Sequence, residues 1–432
     1  MTLRIEGGRV LRPDLSVERA DVRVDDDGRI DAVGDLDPRE DEQTLDATDA
    51  LVTPGLVNAH GHAAMTLLRG YADDKPLDAW LQEDIWPVEA ELDPEDIAAG
   101  ARLACAEMIR SGTTAFADMY FEVDALVEGV TAAGLRARVG YGIVTVGKDE
   151  AAAREEFETG LTVAERLDGA ADGRVRTAVM PHAPHTVDTA YLAEFAPRIR
   201  DADVPVHFHF NETPAYIEEV QAETGERPGA YADGFGLLDD AWVAHGVHLS
   251  DAEIDLLAER DVAVAHCPAA NMKLASGIAP VDRLRTAGVT VGLGTDGAAS
   301  NNSLDMFEEM RDAAMAGKIA ADDASAVPAE AAVEMATAGS AEAIGLPGGR
   351  IEAGAPADLA VVDLSSAHLT PEHDLVSHLV YAANGSDVRH TVCDGQVLMR
   401  DRELLTLDER AVRREAEERA RALVERASAG DD

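Results

Sequence analysis

Nine of the thirteen histidines lie between His60 and His266, most of them closing short apolar runs. His60 and His62 form an H-x-H pair at the end of LVTPGLVNAHGH. Residues two apart in an extended chain point the same way, so both imidazoles can meet one ion. Alone, such a pair is a weak signal; Gly61 between them is expected to allow a close backbone approach. PVHFHFNE adds His207 and His209 on one face. His209, nearer the end of the run, is the better ligand, and His207, one layer deeper, reads as packed or as standing behind a ligand. Glu212 follows, placed to reach a substrate; the bland alternative is the first turn of the next helix, satisfying backbone donors. VTVGLGTDGAAS ends its apolar run at Asp296, and AWVAHGVH ends at His245. Their bland alternatives are an Asx-turn aspartate and a satisfied core histidine. Jointly, imidazoles and carboxylates at separate run ends describe divalent-metal chemistry with a proton carrier beside the ion.

Side chains this far apart converge only if the fold gathers the run ends. Strand-like runs end at His60, Asp118, Gly142, His182, His209, His245, His266 and Asp296. Between them lie stretches of helical period, among them Pro94–Ser111, Val123–Ala133, Ala190–Arg200 and Ser303–Ala316. Pro94 after Asp93, and Ser303, are the expected helix starts. The alternation predicts an α/β fold, with residues 56–354 forming a parallel (β/α)8 barrel of the TIM type whose strand ends share one mouth. The flanks read as short strands: Leu3–Glu6, Ala20–Val24, Ile30–Val33 and Ala50–Val52, then Asp358–Asp363, His390–Asp394 and Gln396–Met399. A charged helix from Asp408 to about Ala427 follows. Residues 1–55 and 355–432 are expected to form one small composite β-sandwich.

The chain resembles the amidohydrolase superfamily, and within it the 5-methylthioadenosine/S-adenosylhomocysteine deaminases. The matching text is TPGLVNAHGHAAMTLLRGYADDKPLDAWLQEDIWPVE, GTTAFADMYF, MPHAPHT, HFHFNET, HCPAANMKLASGIAP and GTDGAASNNSLDMFEEMR, nearly the whole barrel. The resemblance implies a metal held by His60, His62, His209 and Asp296. It implies substrate contacts from Glu89 and His182, with Glu212, His245 and Asp296 acting at the reacting carbon. Trp86 would either line the pocket or fill the core. Two-metal members bridge their ions with a carboxylated lysine at a mid-barrel strand end. None of Lys75, Lys148, Lys273 and Lys318 is so placed. One divalent ion is therefore expected, Zn²⁺ ahead of Fe²⁺. The implied reaction is hydrolytic deamination of an adenine nucleoside (5′-methylthioadenosine, S-adenosylhomocysteine, 5′-deoxyadenosine or adenosine) by metal-activated water. Glu89 would hold the ribose. Some relatives carry an arginine near Tyr141; here Lys148 is the nearby cation, which points to uncharged 5′ groups. A homo-oligomer is implied by resemblance alone.

The composition narrows the alternatives. With 83 acidic and 37 basic residues the formal charge is −46. That excludes a basic nucleic-acid footprint and reads as a carboxylate coat suited to high salt. No apolar run is long enough for a membrane span, and MTLRIEGGRVLRPD lacks a secretory pattern. Three scattered cysteines fit a reducing interior, so cytoplasm is the expected location. One rival keeps the same metal set for another amine- or chloro-bearing heterocycle, such as guanine, cytosine or a triazine. Glu89 would then have no ribose to hold. A catalytically inactive barrel kept for binding is the other rival.

Overall fold

The computed structural model describes residues 2–429. Eight parallel runs succeed one another in hydrogen-bonded order. Leu56–Asn58 pairs with Thr113–Tyr120, which pairs with Arg136–Ile143, which in turn pairs with Val175–Thr177 and Met180–Pro181. A bridge from Val179 to Val206 leads to Val206–Phe210, then Ala241–His245, Ala263–His266 and Val291–Leu293. The last run meets the first. Ala59 N–H donates to the Leu293 carbonyl at 2.7 Å, and Asp296–Gly297 pairs in parallel with Gly61–His62. All residues of Thr113–Tyr120 and Val206–Phe210 are buried, as parallel strands covered on both faces require.

The helices follow their start signals. Pro94–Arg110 opens on Pro94, with Asp93 and Asp96 forming a reciprocal capping box. Val123–Ala133 stops where Gly134 turns left-handed at φ +86°. The expected start at Ser303 is displaced to Met306. Asp305 is the residue that accepts the Phe307 N–H, while Glu107 takes the Leu304 N–H and holds that stretch extended. The helix then runs on to Ala321. Residues 77–89 fold as two short turns, Leu77–Trp80 and Trp86–Glu89, around a π-turn at Leu81–Ile85. Trp80 and Ile85 anchor them in the core.

The flanking segments form two sheets. One orders Ile30–Gly34, Asp21–Val24, Leu3–Glu6 and Gln43–Asp46. The other joins both ends of the chain: Leu359–Asp363 pairs antiparallel with Ala50–Pro54, placing Val361 opposite Val52. Ile5, Val22, Val52, Val361 and Val392 belong to one apolar cluster. The strands Arg9–Leu11, Val17–Arg19 and Gln43–Asp46 were not expected; at three or four residues each, their pairing is set by neighbours and not by their own period. The C-terminal helix Glu409–Ala429 lies on Pro94–Arg110 through Arg102–Glu415 at 2.7 Å and Arg110–Glu409 at 2.9 Å.

A buried ion pair ties the flank to the parallel runs. Arg136 Nε donates to Asp358 Oδ2 at 2.8 Å and its Nη2 to Asp394 Oδ1 at 2.5 Å. Burial pushes the Asp358 carboxyl up, and Arg136 opposes that shift. Arg136→Leu is expected to cost about 3–5 kcal/mol, because it strands a buried carboxylate without its cation. Denaturant unfolding in molar salt measures it, and a cost below about 1 kcal/mol would refute the assignment.

Candidate metal centre and active site

Three imidazoles are fixed at Nδ1 and meet at Nε2. His62 Nδ1–H donates to the Met119 carbonyl at 2.7 Å, and His209 Nδ1–H to the His182 carbonyl at 2.8 Å. A carbonyl can only accept, so each ring in its neutral form leaves Nε2 bare, and these atoms stand 3.3 Å apart. His60 Nδ1 contacts His207 Nε2 at 2.8 Å, while His60 Nε2 is buried without a hydrogen-bond partner. Asp296 Oδ1 lies 3.1 Å from His62 Nε2 and 3.4 Å from His60 Nε2. Ligand atoms of His60, His209, His245 and Asp296 all fall within 4.8 Å of one another. Lone pairs directed at one another with no hydrogen between them are the arrangement a cation resolves.

The protonation states agree with that arrangement. Burial lowers the His60 pKa to about 4, and burial with the His182 charge holds His209 well below its usual value. Burial alone would raise Asp296, but His60 and His62 keep it well below the carboxylate range. His60 and His209 thus offer neutral imidazoles beside an ionised carboxylate. His62 departs from the pattern: burial lowers it, yet Asp296 outweighs this and raises it to about 9. A bound cation would replace that charge.

Beside the cluster an imidazole and a carboxyl group lie close together. His245 Nδ1 meets Asn271 Oδ1 at 2.9 Å, and its Nε2 lies 3.6 Å from Glu212 Oε2. Burial raises the Glu212 pKa, His245 acting against it, so this carboxyl keeps its proton to higher pH than an exposed one. Glu212 precedes Thr213, the residue that caps helix Pro214–Thr224, so it is not spent on backbone donors. His245 and Asp296 hold φ at +72° and +60°. Such conformations cost about 1–3 kcal/mol each and persist where surrounding structure imposes them, often at active sites.

A model of the amidohydrolase family matches residues 51–398. The chain is 64% identical to a 5-methylthioadenosine/S-adenosylhomocysteine deaminase of Haloarcula marismortui, covering 98% of this chain and 99% of that one. It is 44% identical to a 5′-deoxyadenosine deaminase of Methanosarcina mazei, over 96% of each. The solved structure of a Xanthomonas campestris adenosine deaminase with bound zinc superposes at a TM-score of 0.92, 40% identical over 98% of both chains. This chain belongs to the amidohydrolase family. It is a metal-dependent hydrolytic enzyme with an α/β fold of the TIM-barrel type, and its His/Asp cluster suits one ion such as Zn²⁺.

In this amidohydrolase two of the remaining expected residues, Glu89 and His182, lie close to the cluster. Tyr120 O–H donates to Glu89 Oε1, and the Tyr120 ring centroid is 6.2 Å from that of His62. Burial raises the Glu89 pKa although the Tyr120 hydrogen bond opposes it. The His182 ring packs 4.5 Å from His209, and burial with the His185 charge lowers its pKa to about 3. Trp86 is 43% exposed, which rules out core filling. Gly61 is a correction. A Cβ there would meet its nearest atom at 3.5 Å, an ordinary contact; the close approach falls at Gly294, whose Cβ would lie 2.9 Å from the His60 carbonyl oxygen. Sequence reasoning missed Tyr120, Asn271 and Ser300, whose hydroxyl donates to Asp296 Oδ2 at 2.7 Å. Each sits inside a motif already quoted: Ser300 is four residues from Asp296, Tyr120 closes the strand Thr113–Tyr120, and Asn271 lies on the short helix Pro268–Lys273.

Proposed function

We propose that the enzyme deaminates adenine nucleosides, with His60, His62, His209 and Asp296 as metal ligands and Glu212, His245 and Asp296 as proton carriers. The observation that carries this reading is the half-buried Glu212, its pKa raised, set 3.6 Å from His245 beside the His/Asp cluster. A divalent ion held there supplies the Lewis acidity that brings water into the nucleophilic range near neutral pH. His245 holds the attacking water by Nε2, its ring oriented by Asn271. Asp296, steadied by Ser300, takes one of that water's protons as the oxygen bonds to C6. Glu212 gives its proton to ring N1, so no negative charge builds on the purine. Collapse returns the C6 hydroxyl proton to Glu212 and passes the Asp296 proton to the departing amine, giving the inosine analogue and ammonia. Trp86, exposed at the end of its helix, and His182 complete the substrate contacts.

Glu89, fixed by Tyr120, accepts from the ribose hydroxyls. Glu89→Gln is expected to raise KM for ribonucleosides about 10–100-fold and to narrow their advantage over 2′-deoxy substrates. Steady-state kinetics on both sugars check it; an unchanged ratio would remove Glu89 from the sugar site. For the 5′ group, Glu156 bonds both Tyr141 at 3.1 Å and Lys148 at 2.5 Å. Aromatic contacts lead from His62 through Tyr120 and Phe121 to Tyr141. The Lys148 charge is thus already matched, which favours uncharged 5′ groups over the amino-acid end of S-adenosylhomocysteine.

The test is a spectrophotometric assay on zinc-loaded protein with methylthioadenosine, 5′-deoxyadenosine, adenosine and S-adenosylhomocysteine, and guanine as control. Conversion of the adenine to the hypoxanthine spectrum supports the reading. Guanine turnover alone would overturn it. The terminal segments 1–55 and 355–432 are read as one composite sandwich beside a barrel of 56–354. The charge of −46 is read as adaptation to a salt-rich cytoplasm, and a homo-oligomer as the working form. Lowering salt from molar to about 0.1 M lengthens the screening distance from about 3 Å to about 10 Å, so melting temperature is expected to fall. A flat profile would contradict the salt reading.

A further inference from the structure

Two of the three convergent imidazoles owe their tautomer to a backbone carbonyl. His60 does not: its Nδ1 faces His207 Nε2 at 2.8 Å, an atom able to donate or accept. The choice is made one step further back. His207 Nδ1 lies 2.8 Å from the Trp242 carbonyl, which only accepts, so that nitrogen carries the hydrogen. A neutral imidazole has one ring N–H, so His207 Nε2 is bare. Two bare nitrogens 2.8 Å apart in a buried site would repel. His60 must therefore donate from Nδ1, which leaves its Nε2 lone pair facing Asp296 Oδ1 at 3.4 Å with no other partner.

The support is rigid. His207 is fully buried and stacks on Trp242, with ring centroids 4.2 Å apart and planes 12° from parallel. Trp242 Nε1–H donates at 3.1 Å to the Ala59 carbonyl, the peptide leading into His60. One tryptophan thus fixes the backbone of His60 and, through His207, its ring. We propose that His207 is a positioning residue that sets the tautomer of His60 and presents its Nε2 to the metal. The proposal rests on the reading of His60 as a ligand.

His207→Phe keeps a stacking ring and removes the acceptor; His207→Gln can offer a carbonyl to His60 and an amide N–H to Trp242. Zinc affinity, measured by competition with a chelator, is expected to fall about 10–100-fold in His207→Phe and to recover in part in His207→Gln. The melting temperature of each metal-free variant is measured alongside. A loss of metal-free stability with wild-type zinc affinity would show a merely structural role and overturn the proposal. Wild-type protein that binds no zinc would overturn the ligand reading itself and the proposal with it. Neutron diffraction of deuterium-exchanged wild-type protein needs no variant to fold. Deuterium on Nδ1 of both His60 and His207 is the expected result, and deuterium on His60 Nε2 would sink the inference.

Discussion

Glu212→Gln lowers turnover of an adenine nucleoside by about 10²–10⁴-fold while zinc content stays at the wild-type level. The substitution keeps the shape and a hydrogen-bonding head but removes the transferable proton. Glu212 lies beside His245 and outside the group of ligand atoms around Asp296. Burial that raises its pKa suits it to reach the substrate protonated, and the amide has no such proton to give. KM is expected to change little beside kcat, since the proton is given only as C6 becomes tetrahedral. Metal analysis and initial rates on one sample decide the matter: full activity ends the assigned role, and lost metal moves Glu212 into the ligand set.

Asp296→Asn is expected to have the larger effect, because on the proposed reading it removes a ligand and a proton carrier together. The carboxylate faces His60 and His62 and also receives the Ser300 hydroxyl. An amide binds a divalent ion more weakly than a carboxylate and cannot take a proton from water. A rate loss of at least about 10⁴-fold, equal to about 5.5 kcal/mol of barrier, is expected together with lost stoichiometric zinc. Excess zinc should restore occupancy before it restores rate. Recovery of both in parallel would show that Asp296 only holds the ion.

Much of this site was legible in the sequence, for a physical reason. A parallel strand covered on both faces is mostly apolar, so a histidine or aspartate closing an apolar run stands out against Val, Ala and Leu, as His245 and Asp296 do. The same argument placed most of the parallel runs. Spacing could not say which side chain reads the far nitrogen of each ring. His207 shows the limit: its depth by one strand layer was readable, but its bond to His60 depends on the distance between neighbouring runs. The helix start shows another limit. Ser303 has the right chemistry for a cap, yet Glu107, almost two hundred positions away, claims the Leu304 N–H and shifts the start to Met306. The short flanking strands stayed hidden because three or four residues carry too little period to separate strand from turn. Gly61 misled because a glycine between two histidines suggests crowding that the chain places at Gly294.

The central claim is that one metal ion, held by the His/Asp cluster, serves deamination of an adenine nucleoside. The direct measurement is ammonia release from 5′-methylthioadenosine by metal-free protein titrated with zinc in molar salt. The account predicts no turnover without metal and a rate that rises linearly and levels off at one ion per chain. Turnover by the metal-free chain, or a rate that climbs only as a second ion binds, would contradict it.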